Sequence, residues 1–208
     1  MNIAKNSLRK NIEIAVCLAL VCSIFLSFAQ FDAACEDLRK NVFRLHIKAN
    51  SDSKADQQVK LKVRDAILEN SVSLFDGAEV LDDAVVLAQT NIEKLTKIAN
   101  EVLQNEGFDY KATARIGETF FETREYEDFT LPAGTYESLI IDLGKAQGQN
   151  WWCVIFPKLC IDTSIGEKAS LEDTASKQSA KIAENKQKYK VKFKVVEWYE
   201  KLKRKFNW

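Results

Sequence analysis

The sequence predicts an α+β fold: a mainly antiparallel sheet of four or five strands with two helices packed on one face. Three observations lead there. Residues 43–48 alternate apolar and polar side chains with the period of two expected of a half-buried strand. Two stretches, 54–68 and 82–105, repeat apolar residues at helical spacing. Residues 110–156 hold extended runs separated by short Gly- and Pro-bearing turns. Short connections favour antiparallel neighbours, because a parallel crossover needs roughly a dozen residues or more.

The first thirty residues read as a targeting segment. Lys5, Arg9 and Lys10 precede an apolar run from Ile12 to Ala29 that is interrupted only by Glu13, Ser23 and Ser27. Ser27-Phe28-Ala29 has the small-x-small pattern of a cleavage site. Residues 1–30 are therefore expected to be a signal peptide or an N-terminal membrane anchor, with basic residues inside and the remainder exported. Ala33-Ala34-Cys35 suggests lipidation, but Asp32 stands where that signal wants an aliphatic residue. Residues 31–41 read as a stalk.

The domain then runs over 42–161. Phe43, Leu45 and Ile47 form the buried phase of the first strand, and Arg44, His46 and Lys48 the polar phase. Asn50-Ser51-Asp52-Ser53 is a turn, since each of these side chains can bond its own backbone, and Ser53 with Asp56 makes a capping box that starts a helix at Lys54. Val59, Val63, Ala66 and Ile67 share its apolar face. After Asp76-Gly77, Asp82 or Asp83 caps a second helix with the stripe Ala88, Ile92, Leu95, Ala99 and Val102, ending near Gly107. Strands are predicted at 110–116, resuming at Phe120-Phe121, then at 139–143 and 151–156, with a turn at 131–136.

Residues 162–188, rich in Ser, Thr, Ala, Lys and Glu, are expected to be a flexible tether. Residues 189–208 form a basic amphipathic segment. From Lys177 to the end there are eleven basic and three acidic residues, which suits an anionic membrane surface, an acidic partner, or a docked helix with solvated lysines.

Composition narrows function. Thirty basic residues balance thirty acidic ones in 208, so net charge makes no case for nucleic acid. One histidine and two domain cysteines, Cys153 and Cys160, fall short of four zinc ligands, and no cofactor is expected. An enzyme would recruit Cys153 or Cys160 as nucleophile with His46 as base, giving a secreted cysteine-dependent hydrolase. A binding module, of the cell envelope or of another partner, is favoured over it, because cysteines in an apolar strand are more often core residues and no hydrolase motif occurs. No small-molecule substrate is expected.

Four ordered motifs carry a resemblance. Arg44-Leu45-His46-Ile47-x-Ala49-Asn50-Ser51-Asp52-Ser53, Lys60-Leu61-Lys62-Val63-Arg64-Asp65, Leu131-Pro132-Ala133-Gly134-x-Tyr136 and Asn150-Trp151-Trp152-Cys153-Val154-x-Phe156-Pro157-x-Leu159-Cys160 resemble the stage II sporulation protein R (SpoIIR) family across residues 42–161. The resemblance implies a forespore protein, exported into the space between two membranes, that triggers a SpoIIGA-like membrane protease to process pro-sigma-E. On that reading the chain is a signal and not an enzyme.

Candidate partner-binding residues are His46, Asn50, Asp52, Arg64, Asp65, Trp151 and Trp152. His46 sits on the polar phase, at a surface or second-layer hydrogen bond. Arg64 and Asp65 adjoin and are expected to brace the Asn50–Asp52 turn or to meet the partner. Trp151 and Trp152 point to opposite faces, one inward and one available as an anchor. If Phe156-Pro157 turns tightly, Cys153 opposes Cys160 at a separation that admits a disulfide; the alternative is two buried thiols.

Overall fold

In the computed structural model, which describes residues 2–159 and 170–206, the motif around Ser53 forms the predicted strand, turn and helix start but only half of the expected capping box, since the Ser53 amide donates to Ser51 Oγ at 3.1 Å and not to Asp56. Strand β1 (Phe43–Lys48) ends at the polar turn, and Ser53 Oγ accepts from the Asp56 amide at 3.1 Å to start helix α2 (Lys54–Leu74). The second predicted helix is two: α3 (Leu81–Thr90) and α4 (Ile92–Asn105). Thr90 Oγ1 donates to Val86 O at 2.8 Å and Asn91 Nδ2 to Leu87 O at 2.9 Å. The break falls at Asn91, whose backbone (φ −104°, ψ 15°) departs from the helical range, so that it caps α3 and opens α4. Ala88, Leu95 and Ala99 still share one buried face across the break.

Strands β2 (Ala112–Phe121), β5 (Gly134–Leu143) and β6 (Asn150–Phe156) join β1 in a four-stranded sheet of order β2-β5-β1-β6. A two-stranded ribbon, β3 (Arg124–Glu125) with β4 (Thr130–Leu131), stands apart from it. The sheet is mainly antiparallel, as expected, but not purely so: β1 pairs antiparallel with β6, and β2 with β5, whereas β1 runs parallel to β5, with Leu45 beside Leu139 and Ile47 beside Ile141. The short-loop argument constrains only strands consecutive in sequence. β1 reaches β5 by way of three helices and β2, an excursion long enough for a parallel crossover.

Helices α2 to α4 cover one face, over a core that includes Phe43, Leu45, Ile47, Val63, Ile67, Leu95, Ile141 and Ile155. Burying each large apolar side chain contributes about 1.5–3 kcal/mol. The opposite face is covered too, which the two-helix expectation missed. Helix α1 (Asn2–Lys40) passes unbroken from the apolar leader into the fold, and Phe31, Cys35 and Leu38 are buried. The supposed stalk is thus a packed helix. After a short 3-10 turn (Leu171–Asp173), helices α5 (Lys177–Glu184) and α6 (Lys186–Phe206) follow. Leu171, Ala175, Ala180 and Ala183 are buried against Leu38, Val42 and Val154, so the described part of the expected tether packs one face into the core. Small alanines let α5 approach α1 closely, and their low hydropathy disguised the contact in the sequence.

Arg39 locks the last turn of α1 in place. Its Nη1 donates to Ala133 O at 2.9 Å and its Nε to Glu36 at 3.0 Å, with Glu200 of α6 3.6 Å away. At Gly134 (φ +149°) a Cβ would come within 2.3 Å of Arg39 Cδ, so the Leu-Pro-Ala-Gly motif leaves room for this side chain.

Candidate functional site

The β1–α2 turn is knitted to the β5–β6 loop. Backbone amides of Lys145 and Gln149 donate to Asn50 Oδ1 at 2.9 Å and Asp52 Oδ1 at 2.7 Å. Gly148 N donates to Ala49 O at 2.9 Å. A Cβ at Gly148 would lie 2.2 Å from Ser51 O, so only glycine permits this approach. Below the turn, Asp56 accepts from Asn50 Nδ2 at 3.0 Å, from the Ser51 hydroxyl and from the Tyr110 hydroxyl. Burial pushes its carboxyl up, but the bonds from Ser51, Tyr110, Asn50 and Ser53 outweigh it and hold Asp56 below the usual carboxylate range. Asn50 and Asp52, two sequence-predicted contact residues, are therefore braces for the scaffold.

His46 lies not on the surface but within the sheet's second face, 4% exposed. Its ring stacks on Trp152 at 4.0 Å with 16° between the planes, and its Nε2 is 3.0 Å from Asn150 Oδ1. Phe121 closes the other side. Burial lowers the His46 pKa to about 4, with the Asn150 bond opposing weakly, so the ring is neutral at physiological pH.

Next to it on β1, Arg44 is fully buried, although the alternation marked it as polar and outward. Its guanidinium lies 3.8 Å over Phe121 and 4.9 Å from the Tyr136 ring, and Nη2 donates to Tyr126 Oη at 2.6 Å. The aromatic faces take the place of a carboxylate. Phe121, Tyr126 and Tyr136 lie before, within and after the ribbon, too far along the chain from Arg44 for a local pattern to link them to it.

On the helix side of β6, Trp151 is half-buried and Arg64 covers its ring at 4.5 Å. Arg64 does not reach the Asn50–Asp52 turn. Its Nε and Nη2 instead donate to Asp65 Oδ1 at 2.7 and 2.6 Å. On the other side, Arg124 of the ribbon stands 5.8 Å over Trp152. The outer strand β6 is thus flanked on each face by a tryptophan beneath an arginine, the two residue types most enriched at binding hot spots. The two tryptophans do point to opposite faces, and both are partly exposed.

The catalytic dyad considered from sequence is not assembled. Cys153 lies against the helix-covered core, opposite Leu45, whereas His46 lies on the far face opposite Trp152. The sheet separates them. Cys160 falls outside the described residues, and so does its pairing with Cys153. Among the described residues, no three His, Cys, Asp or Glu side chains gather as metal ligands.

Comparison with known proteins agrees with the motifs. Residues 39–166 match the family model described as stage II sporulation protein R. The chain is 35% identical over 175 residues to "Stage II sporulation protein R" of Bacillus subtilis (strain 168), covering 74% of this chain and 78% of that protein. No solved structure matches significantly.

Proposed function

Since the chain belongs to the stage II sporulation protein R family, we propose that it is an exported signal that activates a SpoIIGA-like membrane protease, which then processes pro-sigma-E in the mother cell. The observation that carries this reading is the β6 end of the sheet. Trp151 under Arg64 and Trp152 under Arg124 offer rigid aromatic anchors on a braced scaffold, while the one histidine is buried and neutral, away from Cys153. We read this arrangement as one for holding a partner. His46 contributes from beneath by fixing the Trp152 indole, Asn50 and Asp52 by holding the loop that leads into β6, and Asp65 by orienting Arg64.

Helix α1 supports delivery across the forespore membrane, into the space between the two cells. Its segment Lys10–Lys40 is long and apolar enough to cross a membrane, and its aliphatic side chains from Ile12 to Leu26 are exposed. The protein would then act from the intermembrane space, either released or held by this helix.

Co-expression with the protease and its pro-sigma substrate tests the proposal. Cleavage should depend on this chain and fall at least tenfold with Trp152→Ala. Equal processing in its absence would overturn it.

A further inference from the structure

Helix α6 is apolar on two opposite faces. Tyr189, Phe193 and Val196 pack against Phe28, Phe31, Ala34 and Cys35 of α1. On the reverse, Val191, Val195, Trp198, Leu202 and Phe206 follow one another at steps of 4, 3, 4 and 4 residues. These five are exposed by 77%, 44%, 71%, 43% and 59%. Fifteen residue-to-residue steps at about 1.5 Å rise make this a stripe roughly 22 Å long. A chain does not leave such a row in water without use, since contiguous exposed apolar patches mark interaction sites.

Three occupants compete, and geometry and charge choose among them. Lys192 Nζ reaches Ser27 Oγ at 2.8 Å, Phe193 meets Phe31, and Glu200 lies by Arg39, so α6 runs side by side with α1 and in the same direction. A helix that binds lipid lies in the plane of the membrane. With α1 crossing that plane, the α6 stripe rises away from it. A second copy is disfavoured by charge: α6 carries nine basic and two acidic residues, with Lys190, Lys194 and Lys205 along one margin of the stripe and Lys192 and Lys203 along the other. Stacking two such stripes would oppose like charges. The remaining occupant is a helix with apolar residues at matching spacing and acidic margins.

We propose that the outward stripe of α6 docks an acidic amphipathic helix in the extracytoplasmic part of the membrane partner, giving the protein a second contact besides the β6 end. This rests on the signalling reading for the identity of the partner. Arg204 over Phe120 at 4.2 Å and Lys201 on Glu122 at 2.7 Å fix the far end of α6 to β2 and its following loop, so the stripe is presented as a rigid rod.

The test places a photo-crosslinking side chain at position 198 in the full chain, co-expressed with a SpoIIGA-like protease, beside Trp198→Ala and Leu202→Asp variants. An adduct with the protease and at least a tenfold loss of cleavage in both variants, with unchanged thermal unfolding, are expected. A homodimer adduct, a lipid adduct alone, or full cleavage by both variants overturns the docking proposal. An adduct with the protease through position 198, while wild-type chain fails to stimulate cleavage, would sink the signalling reading and leave the docking standing.

Discussion

The His46 imidazole and the Trp152 indole lie face to face, 4.0 Å apart, as directly opposed residues of β1 and β6. The chain's one histidine thereby holds a tryptophan in a fixed orientation, and burial keeps the ring neutral.

Acid should therefore weaken the fold in a defined window. The His46 pKa is near 6.5 unfolded and about 4 folded, so the unfolded chain takes up the proton first. The stability this contributes is present in full above pH 6.5 and is lost as pH falls towards 4, by on the order of 3 kcal/mol. Urea unfolding of wild type and His46→Gln across this range measures it. Equal pH slopes in the two proteins would contradict the buried neutral ring.

Asp56 should behave as the hub of the turn. Asp56→Asn removes a charged acceptor shared by Asn50, Ser51 and Tyr110, and should cost roughly 3 kcal/mol in chemical denaturation. A loss below about 1 kcal/mol would mean that the cluster is dispensable.

Gly148→Ala should destabilise by about 1–3 kcal/mol, because its Cβ meets the Ser51 backbone, which has nowhere to go. Gly117→Ala is the control. Its Cβ would meet only Arg115 Nη1 at 3.8 Å, so its melting temperature should stay near wild type.

The candidate contact residues should divide by assay. Asn50→Ala and Asp52→Ala should lower stability together with protease activation. Arg64→Ala should reduce activation at least tenfold while thermal unfolding moves by no more than a few degrees, and Trp151→Ala, which also removes packing against the core, should lower both. Loss of stability in all four would assign the whole group to the scaffold.

How far the sequence carried the reading depends on the kind of signal. Local chemistry was legible: the Ser53 cap, the alternation in β1 and the opposed tryptophans need only near neighbours to act. Partnerships across the chain were not. Arg44 reads as solvent-facing because alternation counts polarity, and nothing local shows that Phe121 and Tyr136 will flank its guanidinium. The β1–β5 pairing was missed because their contact spans some ninety residues. Residues 171–188 were read as tether because alanine and serine carry little hydropathy, yet Ala180 and Ala183 are fully buried where α5 meets the core.

Deleting residues 31–40 should expose two apolar clusters at once and leave the domain unable to fold cooperatively, whereas a chain starting at Gln30 should unfold in a single transition. Circular dichroism melts of the two forms decide. Equal melts would show the packed end of α1 to be dispensable.

The unbroken course of α1 leaves no slack between the leader and the body. Gln30 is exposed, Phe31 is 2% exposed, and one peptide bond separates the apolar leader from the interior of the domain. Cutting after Ala29 would give a new terminus already pinned to the body, with no loose tail to search for a partner. Leaving the leader in place would hold the body flush against the bilayer, able to rotate and tilt with α1 but not to swing. The held form can touch only what comes within the size of its folded body, whereas the cut form would be free to diffuse across any gap.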